Sequence, residues 1–158
     1  MDLSWIKNLA TKSNTNFANR VNAEIIKERV LRSFDFIMGE LYEEFTVVVN
    51  IFNEHSSERI KILTVNPQEK PYPDAIILLK NGTQIKIQKT HNCLEVIASM
   101  VQDFRQINHK IHTFVPRADS FSSVNWLMDN QVLMNKDLMV KQLFQDLCFI
   151  SSKKKQGR

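Results

Sequence analysis

The chain has 158 residues and a mass of 18.5 kDa, which fits one domain and leaves too little for a second of ordinary size. With 43% hydrophobic and 24% charged residues and only 3 Gly and 4 Pro, it is neither disordered, collagen-like nor disulfide-dense, and it can bury a sizeable core. The formal net charge of +4 and pI near 9.1 point toward nucleic acid, but the excess is local. Lys153, Lys154, Lys155 and Arg158 stand in the last eight residues with no acid among them, and the rest of the chain is balanced. Residues 1–150 therefore read as a single α+β domain and residues 151–158 as a basic, disordered tail, the tail being the place where phosphate would bind.

Cys93 and Cys148 stand far apart with no CxxC neighbour, so neither a zinc knuckle nor a redox pair is spelled. Both are expected to stay reduced. The start, Met1-Asp-Leu-Ser-Trp-Ile-Lys, lacks the basic-then-apolar pattern of a secretory signal, and no apolar run approaches the ~20 residues of a membrane span. A cytoplasmic protein without a membrane partner is the expectation.

In chain order, Leu3, Trp5, Ile6 and Leu9 form a short amphipathic segment, and residues 11–16, all Thr, Lys, Ser or Asn, read as a loop. Phe17, Val21, Ile26, Val30, Phe34, Ile37, Leu41 and Phe45 then recur mostly three or four apart, the mark of one long helix that Asn16 can cap and Gly39 can end or bend. Residues 46–52 (TVVVNIF) and 59–65 (RIKILTV) are rich in β-branched side chains and read as a hairpin. Three prolines between residues 66 and 74 exclude a strand there. Residues 74–80 and 83–89 form a second hairpin about Asn81-Gly82, because both central positions of a type I′ turn require positive φ.

Asn92-Cys93-Leu94-Glu95 resembles a helix cap, and Leu94, Ile97, Val101, Phe104 and Ile111 would line the face of a middle helix limited by Pro116. Residues 110–115 (KIHTFV) also alternate as a strand does, and both readings stand. Residues 124–134 fit two short strands around Asp129-Asn130 better than a helix, because Asn135 and Asp137 start the last helix, whose face carries Met139, Leu143, Leu147 and Ile150. The expected class is α+β: an antiparallel sheet of four strands, or five or six counting residues 110–134, covered by a long N-terminal, a middle and a C-terminal helix.

No GxSxG, GxxxxGK[ST], GxGxxG or HExxH occurs, and three glycines leave almost nothing from which to build a phosphate loop. His109 and His112 have the spacing of a metal pair on a helix, but no third ligand is signalled, so neither a metal nor a cofactor is expected. One stretch resembles a known family. Pro73-Asp74, a hydrophobic strand, a tight turn, a strand ending in Lys89 and a following helix look like the core of the restriction-endonuclease-like nucleases, with their PD…(D/E)xK pattern. The resemblance implies Mg²⁺ held by Asp74 and a second carboxylate, with Lys89 activating water. Hairpin register puts Ile87 where that carboxylate belongs, so the set departs from the pattern.

The preferred function is a small non-enzymatic interaction module, an adaptor or assembly subunit, that binds a protein partner or its own copy. Trp5, Trp126 and Met128 are its candidate contact residues, in short amphipathic segments toward the two ends of the chain. The element order resembles small secretion-chaperone-like adaptors at the level of fold alone. The competing function is a nucleic-acid-associated protein with a degenerate nuclease core, acting through Asp74, Lys89 and the basic tail.

Overall fold

A computed structural model describes residues 2–121 and 123–156, with side chains as far as Ser152. The described residues form two helices and seven strands: α1 (Ser4–His55), β1 (Lys61–Val65), β2 (Ala75–Lys80), β3 (Thr83–Lys89), β4 (Leu94–Gln102), β5 (Arg105–Ala118), β6 (Val124–Met128), β7 (Val132–Met134) and α2 (Lys136–Gln156). Every strand pairs antiparallel with the next in sequence, so the sheet is a seven-stranded meander in the order β1 to β7.

The expectation of four to six strands and three helices is therefore corrected. There is no middle helix among the described residues, because Leu94–Gln102 and Arg105–Ala118 are the two longest strands. Their apolar residues imitate a helical period because β4 carries them on both faces, Leu94, Val96 and Ala98 toward the core and Ile97 on the other side, while a bulge opposite Val96 and Ile97 leaves Ile111 of β5 without a pairing partner. The long helix is also longer at both ends than its periodicity suggested. Residues 46–52 continue it, since Phe45, Val48, Val49 and Phe52 keep helical spacing and pack on or against the core, overriding the β propensity of three valines. The polar residues 11–16 are helical too. Thr11 Oγ1 donates to the Lys7 carbonyl at 2.9 Å and Thr15 Oγ1 to the Thr11 carbonyl at 3.0 Å, which satisfies their hydroxyls within the helix.

Nor does Gly39 end α1. A Cβ there would stand 2.5 Å from the Tyr72 ring, so the missing side chain lets the proline-rich loop lie against the helix backbone. At the end of α1, Ser56 turns extended, and Asn53 holds the chain's return by donating to the Ile60 carbonyl (3.0 Å) and accepting from its N–H (2.8 Å).

Three tight turns place two consecutive residues at positive φ: Asn81 and Gly82, Asp103 and Phe104, Asp129 and Asn130. The first and third are the hairpins expected from sequence, and the pairs Lys80↔Thr83 and Ile76↔Ile87 reproduce the expected register. Residues 110–115 resolve to strand, within β5.

Both helices cover one face of the sheet. From α1, Phe34, Ile37, Met38, Leu41, Phe45 and Val49 are buried; from the sheet, Ile76, Leu78, Ile85, Ile87, Val96 and Phe114; from α2, Met139, Leu143 and Leu147. Phe34 meets Trp126 edge-to-face, with ring centroids 5.3 Å apart. The other face carries a cross-strand row of Leu63, Ile77, Lys86, Ile97 and Lys110, none of them fully buried.

Candidate interaction surface

The most distinctive surface is the first half of α1. Every residue from 2 to 29 is exposed, whereas burial begins in the turn of Val30 and is complete at Phe34. At 1.5 Å per residue, the helix thus runs about 40 Å before it meets the body. This length is not uniformly polar. Trp5 (59% exposed), Ile6, Leu9, Phe17 (63%), Val21, Ile25 and Ile26 all stand in solvent.

Two of them, Ile6 and Phe17, fall on the heptad register of the buried half of α1, and the others flank it. Phe34, Met38, Leu41, Phe45, Val48 and Phe52, which pack on the sheet, repeat every three or four residues, and the same register carried backward falls on Leu31, Phe17, Ala10, Ile6 and Leu3. The sheet-facing stripe therefore continues past the sheet. Between Phe17 and Leu31 its seam positions are charged instead: Arg20, Glu24 and Lys27, with Val21 and Glu28 alongside. These residues line an open trough formed by α1 alone. The periodicity was legible in the sequence, but the polar residues 11–16 conceal it when read as a loop.

The residues singled out from sequence do not come together. Trp5 lies on the free half of α1, whereas Trp126 is buried and Met128 is partly buried against the core. Asp74 pairs with Lys70 (3.6 Å), and Lys89 Nζ donates to Asp35 Oδ1 of α1 (2.8 Å). Ile87, where the nuclease pattern needs a carboxylate, is fully buried, and the helix that should follow Lys89 is β4. Among the described residues no group of three or more His, Cys, Asp or Glu side chains is placed to hold a metal ion. Lys153, Lys154 and Lys155 sit in the last turns of α2, but their side chains and all of Arg158 lie outside the described residues. The strand positions on the open sheet face carry no Phe, Tyr or Trp among the described residues.

Two polar clusters tie the helices to the sheet. The His112 ring bridges two carboxylates, with Nδ1 2.9 Å from Asp129 Oδ2 and Nε2 2.8 Å from Asp146 Oδ2. Asp129 Oδ1 also accepts from the Thr113 N–H, and Asp146 Oδ1 from Gln142 Nε2. This cluster joins β5, the β6–β7 turn and α2. In the second cluster Lys80, whose side chain is buried, pairs with Glu58 and donates to Ser151 Oγ at 2.8 Å.

Cys148 lies in the field of that pair. Burial pushes its thiol above the usual range, and the Glu58 carboxylate adds to this while the Lys80 ammonium opposes it. Less thiolate is then present at any given pH. Alkylation of Cys148 by iodoacetamide is expected to be slower at pH 8 than that of an unstructured thiol, with its pH midpoint displaced upward; a midpoint at or below that of the free thiol contradicts the assignment.

A groove of about 370 Å³ also opens along the α1–α2 seam, floored by Val48, Val140 and Phe144 and rimmed by Glu44, Asp137 and Lys141. No helix among the described residues is long and apolar enough to cross a membrane. Compared with known proteins, the chain matches no protein-family model, no curated protein and no solved structure.

Proposed function

We propose that the chain is a non-enzymatic interaction module that engages protein, a partner or its own copy, through the free half of α1. One observation supports this reading above the rest: residues 2–29 of α1 are all exposed and carry large apolar side chains, Trp5, Ile6, Leu9, Phe17, Val21, Ile25 and Ile26, that nothing among the described residues covers. Exposed stripes of this extent mark interaction sites, and a helix without tertiary packing is only marginally stable in water. The body behind it, held by a large core and two polar clusters, serves as an anchor that fixes where the stripe begins.

The test is the solution mass of protein taken from its native source at high salt, combined with amide exchange over residues 4–29. The expected result is a mass above the 18.5 kDa of one chain, with those amides protected. A single-chain mass with the same amides exchanging as freely as an unfolded peptide overturns the proposal.

A further inference from the structure

Away from α1, we infer that the β4–β5 hairpin is a binding arm for single-stranded nucleic acid, with Phe104 as the ring on which a base stacks. β3 pairs with β4 as far as Met100, so among the described residues Val101 and Gln102 pair with Gln106 and Arg105 alone, and the hairpin runs on past the body. At its tip Phe104 is 104% exposed, the highest value among the large apolar side chains described. It also holds φ 63, at the second position of a tight turn where Gly is the favoured residue. The fold gains nothing from this ring, which buries no area and strains the backbone that carries it. An aromatic side chain kept at such a place is explained by what it meets outside the chain.

What surrounds the tip decides the class of that ligand. Arg105 follows Phe104 directly. On the open sheet face behind it, Lys86 of β3 and Lys110 of β5 flank Ile97 in one cross-strand row, about 10 Å apart at two strand spacings. None of these three cations is in an ion pair among the described residues. In the next two rows toward the tip stand Gln84 with Asn108, then Gln106, whose amides make no hydrogen bond among the described residues. From Lys110 to Phe104 the track is about 20 Å long. Its nearest acids are Asp103 in the turn and Glu95 in the row beyond Lys86. A stacking ring at one end, cations at both ends and unspent amides between them suit a chain of bases and phosphates. A membrane surface or an apolar pocket would be met by an apolar rim, whereas Asp103 and Arg105 flank Phe104, with Gln102 and Gln106 next.

The test is fluorescence anisotropy of a labelled oligothymidylate of about 12 nucleotides with the full chain, over a range of salt. Binding is expected, with log K falling by about 2 per decade of salt, from three cations at about 0.7 each. Phe104→Gly should weaken it about 5- to 150-fold, the value of one stacked base. The urea midpoint of the same variant should rise, because glycine takes positive φ without strain. Phe104→Trp keeps a stacking ring and should bind within about threefold of the unmodified chain. Lys86→Ala and Lys110→Ala should each make the salt slope shallower by about 0.7. Phe104→Leu binding as well as the unmodified chain overturns stacking as the role of the ring. Binding that survives every change in the arm but is lost when Lys153, Lys154 and Lys155 become Ala overturns the arm as the site. Failure to bind the oligonucleotide, with or without binding to phosphatidylglycerol vesicles, overturns the inference outright and leaves the reading of α1 untouched.

Discussion

Phe34→Ala should lower the free energy of unfolding by about 3–5 kcal/mol, read as a fall in the urea midpoint at fixed protein concentration. Phe34 is 1% exposed and stands at the first turn of α1 that the sheet covers. Its loss removes the transfer free energy of a buried ring and leaves a cavity between the helix and β6. It also removes the edge-to-face contact with Trp126, worth about 0.5–1.5 kcal/mol on its own account. For a domain whose whole stability is about 5–15 kcal/mol, this is a large fraction. Phe36→Ala is the control: two residues on, 60% exposed, it should cost no more than about 0.5 kcal/mol. Equal effects at the two positions would mean that α1 is not seated as described.

The second large effect belongs to the pair beneath the β2–β3 turn. Glu58→Ala leaves the Lys80 ammonium buried, with the Ser151 hydroxyl and no carboxylate facing it. Breaking a fully buried pair costs about 3–5 kcal/mol; the Glu58 side chain is 30% exposed, so solvent screens part of this and about 2–3 kcal/mol is expected. Lys80→Met removes the charge that requires a partner and should cost less, below about 1.5 kcal/mol. The double variant should then be more stable than Glu58→Ala alone. If Glu58→Ala is neutral, or the double variant is the least stable of the three, the pair is not what holds the Ser151 turn of α2 against the sheet. That turn matters to the reading of the C-terminus, because Ser151 is buried and α2 continues through it to Gln156.

How much of this was legible in the sequence depends on which signal each element carries. Two hairpins announced themselves through Asn81-Gly82 and Asp129-Asn130, since Asn, Asp and Gly tolerate positive φ. The third did not. Asp103-Phe104 makes the same turn, but Phe at φ 63 is an unfavourable choice for the left-handed region, so nothing in the composition marked it and the two strands it joins merged into one helix. The error at residues 46–52 has the opposite origin: Val47, Val48 and Val49 favour a strand locally, and only packing against α2 and the sheet keeps them helical. Of the candidate contact residues, Trp5 could be placed on an amphipathic segment, but nothing in its surroundings said that the segment continues unbroken to His55. Trp126 carries the same side chain and is buried, and the alternation around it does not distinguish an anchor from a core residue.

The meander has a further consequence for how the chain is made. Each strand finds its partner in the strand that leaves the ribosome just before or after it, so the sheet grows one hairpin at a time without waiting for distant sequence. For α1 the timing is different. It emerges first, and Phe34 must wait for Trp126 before its side of the core can close, roughly 5 to 18 s at ordinary rates of synthesis. During that interval the entire apolar stripe of α1 is uncovered, including the half that the sheet later hides. A nascent chain is then most vulnerable to capture by a neighbour on the same messenger.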